Sequence, residues 1–597
     1  MKEYKTRKDV PLKYQWDLSD FFKDDNEWEI EFNNIKSKIY ELGNYKGKLN
    51  DSKKLEEYLE KYYIVRNQML NLYIYSYLKH DVELENPLYI EMFQKISTLY
   101  TEYNTVISFF EPELLNINEK EYHNLFKSNN NLNKYKIYLD DIYKEKAHIL
   151  SENEEKLISM LTDTYSSYER ISSSLINSEH DYGKITIDGK KYEIAANNVR
   201  KFKQNENPKI RKEAHNKFLK VLKNYETTES ELLNNYVKNN IILSKIRKYS
   251  SPFDEKIEKT HLTKKVYDSL QEACINNLNI NKKFYKLMKK ALGFKTLNSY
   301  DTVLKWNRLE KEYTIEEANK IVIDSLKILG NKYNQKLSKV FNNHYIDYCQ
   351  YKGKCGGGYS YSTYDKDSKI LMSYKGTFED ILTIAHESGH NVHHQFINEN
   401  NDLWYRHTPT IIAEVASLTN EFLLANHMIK NGKSKEEKLI GLENVIKVFQ
   451  SNFFGAVMEG QLELQMYDKV MDGGIITAEY LNNSAHELLV KYRGNIVKLD
   501  KYSDLMWVTR SHYYTKFYLF SYAISVAVAA ILAEKIINKE HGILEKYYKF
   551  LKAGSDLNPI EVYKILDIDI EDIKVYENGI AYFNKQLDLY ENLLDNK

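Results

Sequence analysis

The sequence predicts a mainly α-helical protein with a few short β segments. Only seven prolines occur among 597 residues, so long helices are seldom interrupted. The stretch from Asp51 to Tyr63 is typical: its apolar side chains recur at helical spacing, and Asp51 or Ser52 can cap its start. These features favour a helical architecture in which β structure has only local roles.

Two pairs of short segments are typical of β-hairpins. Residues 184–187 and 190–194 flank Asp188-Gly189, a favourable two-residue turn. Residues 359–364 and 370–374 flank a polar turn and directly precede a motif at residues 386–390, which is described below. We therefore expect a small β region beside that motif.

A chain of 597 residues is too long to fold around a single compact hydrophobic core, so more than one structural region is expected. Asn207-Pro208, soon after the first hairpin, is typical of a helix that starts with proline at its first position. We place an N-terminal helical region at residues 1–200 and a second region, which holds the motif, at residues 201–597.

Composition makes several function classes poor candidates. With 85 basic and 85 acidic residues, neither nucleic acid nor an anionic membrane is expected as a partner. Residues 1–5 lack the apolar core of a secretory signal. The most apolar run, residues 523–533, is about half the ~20 residues of a membrane span and predicts a buried helix. The odd, sparse cysteines Cys274, Cys349 and Cys355 indicate a reducing, cytoplasmic location.

The motif His-Glu-x-x-His occupies residues 386–390. Side chains four apart share one helix face, so His386 and His390 can bind one zinc ion while Glu387 acts on a zinc-bound water. Thr377 with Asp380 approximates a capping box at the start of this helix. The alternative is a polar surface helix that matches the motif by accident.

Catalytic zinc requires a third protein ligand and an open coordination position. The further histidine of metzincins is absent at its required spacing. We expect His393 to support the site without binding the metal, and His394 to be an ordinary polar residue.

A carboxylate from a second helix is the better third ligand. A helix that opens at Pro409-Thr410 carries Glu414, with Ser417 or Glu421 as possible supporting groups behind it. The alternative for Glu414 is an ordinary solvated glutamate.

A histidine and three tyrosines near the C-terminus can supply donors for a developing oxyanion. Tyr514, Tyr518 and Tyr522 repeat every four residues after His512, which predicts three phenols on one helix face. In a chain with 51 tyrosines, core packing is the alternative interpretation.

Taken together, these segments resemble oligoendopeptidase F, a branch of the thimet oligopeptidase/neurolysin family of zinc peptidases. The matching segments are residues 16–22, the glycine-rich stretch 352–360, the motif 386–393, the third-ligand helix 413–421 and the turn 550–555. Two departures are Ser511, where proline is expected, and Cys355, where serine or arginine is expected. Neither is a metal ligand.

The resemblance implies a neurolysin-like, two-lobed helical fold with a deep central channel and a small β-hairpin region next to the zinc helix. It implies one Zn²⁺ per chain and assigns roles to these residues: His386, His390 and Glu414 as ligands; Glu387 as general base; His512 with Tyr518 or Tyr522 as transition-state donors; and Gly356, Gly357, Gly358, Tyr359 and Tyr514 in substrate binding.

The function implied is zinc-dependent hydrolysis of internal bonds in short, unstructured peptides. One alternative is a related zinc carboxypeptidase or dipeptidyl carboxypeptidase that acts from a chain end. The other is a non-enzymatic peptide-binding scaffold with a structural metal, although a structural zinc site would not need Glu387. The sequence leaves open the oligomeric state, the peptide length limits and which tyrosine contacts the oxyanion.

Overall fold

The computed structural model describes residues 4–307 and 311–596 and is mainly α-helical, as predicted. The helices in the first half are α1 Asp25–Gly43, α2 Ser52–Val82, α3 Pro87–Ile107, α4 Phe110–Asn116, α5 Glu119–Ser128, α6 Lys136–Lys144, α7 Glu152–Ser174, α8 Val199–Lys203, α9 Pro208–Ile246, α10 Pro252–Lys259, α11 Lys264–Asn276 and α12 Leu278–Ala291. The later helices are α13 Ile315–Leu326, α14 Gly330–Asn342, α15 Phe378–Asn400, α16 Thr410–Asn431, α17 Lys435–Phe449, α18 Ala456–Met471, α19 Ala478–Arg493, α20 Phe520–Ile537, α21 Ile543–Lys552, α22 Pro559–Lys564 and α23 Ile573–Asp595. The strands are β1 Lys184–Ile187, β2 Lys190–Glu193, β3 Leu297–Asn298, β4 Ile346–Cys349, β5 Tyr359–Tyr361, β6 Lys369–Tyr374 and β7 Val497–Lys498.

The described chain forms two compact units, each built from three stretches of sequence. Unit 1 takes residues 4–155, 311–424 and 535–567, and unit 2 takes residues 156–307, 425–534 and 568–596. The boundary near residue 200 was inferred from local sequence signals and stays a prediction.

The N-terminal helices of unit 1 bury one continuous apolar core. Helix α2 starts as predicted, with the Asp51 carboxylate accepting from the N–H groups of Lys53 and Lys54. Trp28 of α1 is fully buried and donates its indole N–H to the Leu72 carbonyl of α2 at 2.9 Å. Leu371 of β6 belongs to the same core, so the small sheet of unit 1 packs against these helices.

That sheet has three strands in the order β4-β6-β5. Strands β5 and β6 pair antiparallel, with Tyr359 opposite Leu371, which confirms the second predicted hairpin, although its first strand is shorter than expected. Strand β4 pairs parallel with β6 and was missed. Its four residues are all buried and show no alternation, so periodicity could not identify it.

A buried ammonium ties the glycine-rich stretch to two strands of this sheet. The Lys354 side chain is fully buried and donates to the Asp347 carboxylate at 2.7 Å. It also donates to the carbonyls of Cys349 at 2.9 Å and Met372 at 2.7 Å. A buried charge with this many acceptors holds the start of the stretch in one position.

The first predicted hairpin and the helix after it lie in unit 2 and are confirmed. Strands β1 and β2 pair antiparallel around Asp188 and Gly189, whose φ angles are 51° and 78°. Positive φ at both central residues is what the tight turn between two paired strands requires. Helix α9 begins at Pro208, and the Asn207 side chain caps it.

The apolar run at 523–533 lies within α20, as expected for a core helix. By length and composition alone, this helix could cross a membrane, but 67% of its 18 residues are buried within the protein. A core helix of a large helical protein has the same composition.

Candidate metal centre and its surroundings

Helix α15 presents the motif, and its start is built as predicted. The Thr377 hydroxyl accepts from the Asp380 N–H at 3.3 Å, and the Asp380 carboxylate accepts from the Thr377 N–H at 2.8 Å. Residues 381, 384, 385, 388, 392 and 396 are buried, as expected for the apolar side of the helix. With that side packed inward, His386 and His390 share the neighbouring face.

The three predicted ligands converge. The Nε2 atoms of His386 and His390 lie 3.2 Å apart, and Glu414 Oε2 lies 3.5 Å from the first and 3.9 Å from the second. Four ligands at about 2.0–2.2 Å around a tetrahedral zinc would lie about 3.3–3.6 Å from one another. The first two separations agree with this range to within about 0.1 Å and the third exceeds it by about 0.3 Å, so the donors are placed to hold one zinc ion. Within 4–307 and 311–596 no other group of three or more such side chains could hold a metal ion.

Two side chains of α16 orient these donors. Glu421 Oε1 lies 2.7 Å from His386 Nδ1 and is placed to accept its proton, which leaves the Nε2 lone pair of His386 directed at the ligand cluster. Ser417 Oγ donates to Glu414 Oε2 at 3.1 Å. Ser417 thus supports Glu414, whereas Glu421 supports His386 instead.

A glycine in the middle of α15 allows the two ligand-bearing helices to approach each other. A Cβ at Gly389 would lie 2.7 Å from Ser417 Cα and 2.9 Å from the Ala416 carbonyl oxygen. Nearby, Asn420 donates to the Ala385 carbonyl at 3.0 Å and joins α16 to α15. The role of Gly389 was missed, although a glycine inside a strong helix pattern was the available signal.

Gly389→Ala should push α15 and α16 apart and separate Glu414 from the two histidines. Overpacking of this kind costs about 1–3 kcal/mol of unfolding free energy. Thermal unfolding should show a lower Tm, and a zinc titration should show weaker binding. Gly460→Ala is the control, since a Cβ at that helical position of α18 meets nothing within 4 Å. Equal effects of the two substitutions would contradict this account of the helix contact.

Glu387 lies beside the ligands and is buried. Its carboxylate accepts the Ser360 N–H, and burial raises its pKa to about 7. A pKa near neutrality suits a group that takes a proton and later returns it. The edge strand β5 therefore contacts the candidate base through its backbone.

The backbone of Gly358 also approaches this carboxylate. A Cβ at Gly358 would lie 2.7 Å from Thr383 Cγ2 and 3.9 Å from Glu387 Oε1. The close approach explains why this member of the glycine-rich stretch has no side chain, whereas a Cβ at Gly356 or Gly357 would meet nothing within 4 Å.

Gly358→Ala should lower kcat/KM while metal content stays unchanged, because the added methyl displaces β5 from Glu387. The double variant Gly358→Ala/Thr383→Ser removes the clashing methyl and keeps the Thr383 hydroxyl function, so it should recover most of the lost activity. Peptide hydrolysis kinetics and metal analysis on both variants test this. Failure of the double variant to recover would contradict the steric explanation.

Tyr359, the next residue predicted to bind substrate, is hydrogen-bonded to α2. The Tyr359 hydroxyl donates to Asp81 Oδ2 at 2.9 Å, and the Cys355 N–H donates to the Asp81 carbonyl at 2.8 Å. These bonds fix both sides of the three glycines. The role of Gly356, Gly357, Gly358 and Tyr359 in binding substrate stays a prediction.

The two histidines after the motif have other partners. His393 is buried and stacks on Phe550, with ring centroids 6.1 Å apart, and burial lowers its pKa to about 3. His394 Nδ1 lies 2.9 Å from Ser368 Oγ. Neither belongs to the converging donor set.

The single helix face predicted for Tyr514, Tyr518 and Tyr522 is wrong. Residues 511–514 form a 3₁₀ turn, Phe517 adopts a positive φ of 47°, and α20 starts only at Phe520. The Phe517 N–H donates to Glu463 at 2.7 Å. This tertiary hydrogen bond takes the amide from a helical partner and overrides the local helical spacing.

The turn nevertheless gathers three of the four predicted donors in unit 2. The ring centroid of His512 lies 6.0 Å from those of Tyr518 and Tyr522, which are themselves 5.2 Å apart. Tyr514 instead packs edge-on against Tyr236 at 5.3 Å. Burial and the Arg510 charge lower the pKa of His512, which favours its neutral form. The catalytic and binding roles of all four stay predictions.

Comparison with known proteins gives consistent family matches. The model for "Peptidase family M3" matches residues 201–582, and that for "Oligopeptidase F" matches residues 113–182. The chain is 29% identical over 594 residues to oligoendopeptidase F, plasmid, of Lactococcus lactis subsp. cremoris, covering 99% of each chain. It is 30% identical over 594 residues to oligopeptidase PepF of Bacillus subtilis (strain 168), covering 98% of this chain and 88% of the relative. The structure of oligoendopeptidase-F from Enterococcus faecium shares the fold, with a TM-score of 0.76, 23% identity and coverage of 96% of this chain and 100% of that one.

Proposed function

The chain belongs to peptidase family M3, and from this premise we propose that it is a zinc-dependent endopeptidase that cleaves short, unstructured peptides. Family membership makes it a metallopeptidase, so the alternative of a non-enzymatic scaffold is wrong. The observation that carries the proposal is the convergence of His386, His390 and Glu414 next to the buried carboxylate of Glu387.

The chemistry divides between the metal and the protein. Zinc, when bound by the three donors, would polarise the scissile carbonyl and the attacking water. Glu387, whose buried carboxylate lies beside the ligands, takes the proton of that water and passes it to the leaving amine. The Ser360 N–H holds the Glu387 carboxylate in place for both transfers.

His512, with Tyr518 or Tyr522, donates hydrogen bonds to the oxyanion of the transition state. The clustering of their rings and the lowered pKa of His512 support this assignment. A neutral imidazole and a phenol are both able to donate to a developing negative charge.

Strand β5 binds the peptide by strand addition, together with the three glycines before it. Its place at the edge of the sheet supports this, and the hydrogen bond from its Ser360 N–H to Glu387 shows that the strand lies beside the candidate base. Recognition through backbone hydrogen bonds depends little on side-chain identity, so we expect broad sequence tolerance. Tyr359 and Tyr514 complete the proposed substrate-binding set.

Product mapping on peptides blocked at both ends tests the proposal. An endopeptidase cleaves them at internal bonds, whereas a zinc carboxypeptidase or dipeptidyl carboxypeptidase needs a free C-terminus. A length series of quenched fluorescent peptides, with a folded protein as the last member, tests the size limit. Cleavage of unblocked peptides alone, or efficient cleavage of the folded protein, would contradict the proposal.

We also propose a cytoplasmic location. Cys274, Cys349 and Cys355 are all free thiols in the structure, and the first two are buried. Unpaired thiols are typical of a reducing compartment. Cell fractionation with immunodetection checks this, and recovery in a secreted fraction would contradict it.

A further inference from the structure

Unit 2 contains a cationic cavity that no part of the proposed peptidase mechanism uses. Its volume is about 320 Å³, and residues of α8, α12, α18 and the end of α19 contribute to its wall. Four cations line it, namely Arg200, Lys447, Arg493 and Arg510, against one acidic side chain, Glu459.

Two of the four cations are already neutralised. Lys447 forms an ion pair with Glu443 and donates to the Leu304 carbonyl at 2.9 Å. Arg510 forms an ion pair with Glu459. These pairs contribute no net charge to the cavity.

The other two, Arg200 and Arg493, have no such partner. Among the residues that the structure describes, neither side chain donates a hydrogen bond or forms an ion pair, and Arg493 Nε is buried. The guanidinium of Arg493 lies over the ring of Tyr285, at 5.7 Å, and its charge also acts on Glu459, which is already paired with Arg510. Both charges also oppose protonation of nearby Lys203, whose pKa burial lowers. The Arg493 side chain is half-buried, and its Nε is buried without an acceptor, which is costly. Arg200 is exposed to solvent, so a cavity lined by both offers two positive charges to an anion that enters it.

The neutral groups of the wall are arranged as donors as well. Gln450 Nε2 donates to the Tyr285 hydroxyl oxygen at 3.3 Å, so the Tyr285 proton remains available to a ligand. Gln450 begins a π-helical turn, Gln450–Gly455, and residues 450, 451, 454 and 455 of this turn line the cavity. Such turns often occur where a helix shapes a functional site.

We propose that this cavity binds a phosphate-class oxyanion that carries two negative charges. Two guanidinium groups match the charge of such a dianion, and each can donate two parallel N–H···O bonds to it. At about 30 Å³ per water, the volume holds about ten waters, which is enough for a phosphate monoester as well as for free phosphate. The bound anion would join α8, α12 and α19 and thereby stabilise unit 2.

Thermal unfolding and calorimetric titration of the full chain with inorganic phosphate test the proposal, with sodium chloride at matched ionic strength as the reference. We expect a saturable rise in Tm with phosphate and none with chloride. Arg493→Gln should weaken phosphate binding at least about tenfold, because it removes a bidentate charged contact. Without phosphate its Tm should equal or exceed that of the wild type, since an unpaired cation is gone.

Lys491→Gln is the matched control: it removes the same charge from the same helix, at an exposed position outside the cavity. It should bind phosphate as the wild type does. Absence of saturable binding to the wild type, or an equal phosphate effect in Arg493→Gln, would overturn the proposal. A parallel titration with glycerol phosphate distinguishes a phosphate monoester from free phosphate as the ligand of the cavity. Tighter binding than that of inorganic phosphate indicates a phosphate monoester, and weaker binding indicates the free ion.

Discussion

Glu387→Gln should reduce peptide turnover by about 10²–10⁴-fold while the bound metal remains, because glutamine has the shape of glutamate but cannot take a proton. The substitution touches none of the three atoms that converge on the ligand cluster, Nε2 of His386, Nε2 of His390 and Oε2 of Glu414. The Ser360 N–H would still find an acceptor in the amide oxygen. Steady-state hydrolysis of a quenched fluorescent peptide, with metal analysis of the same preparation, measures both quantities.

The matched control is Glu379→Gln, an exposed position in the first turn of the same helix. It changes the charge of α15 by the same amount at a distance from the ligands, so activity and metal content should stay at the wild-type level. Activity retained by Glu387→Gln would show that another group is the base.

The second large effect is expected from Glu414→Ala, which should lose both metal and activity. It leaves only two histidine donors, and catalytic zinc requires three protein ligands. The converging oxygen, Glu414 Oε2, has no substitute within the donor set. Zinc affinity measured by competition with a chromogenic chelator should fall so far that the purified variant retains little metal.

Glu421→Gln separates the supporting role from the ligand role. The glutamine oxygen can still accept from His386 Nδ1, now 2.7 Å from the carboxylate, but without its charge. Zinc should remain bound with about 10–100-fold lower affinity. Unchanged zinc affinity in Glu414→Ala, together with metal loss in Glu421→Gln, would show that Glu421 is the ligand and Glu414 the supporting residue.

The ligand residues could be predicted because helical geometry fixes them locally. His386 and His390 are four apart, and a helix places them on one face whatever surrounds it. The position of Glu414 beside them depends in addition on a tertiary contact, the close crossing of α15 and α16 that Gly389 permits. The sequence shows the glycine but not the Ser417 backbone that it faces.

Features that depend on tertiary contacts could not be predicted from the spacing of residues in the sequence. The spacing of Tyr514, Tyr518 and Tyr522 is helical, yet the bond from the Phe517 amide to Glu463 breaks the helix before α20. The cationic cavity joins Arg200 to a residue almost three hundred positions later, and no local pattern relates the two.

The central claim is that one zinc ion, held by His386, His390 and Glu414, makes this chain a peptidase. Removal of metal with a chelator, followed by stepwise addition of zinc, tests it most directly. The metal-free protein should remain folded by circular dichroism and be inactive. Peptide hydrolysis should then return in proportion to added zinc and reach its plateau at one ion per chain. Full activity in the metal-free protein would contradict the account.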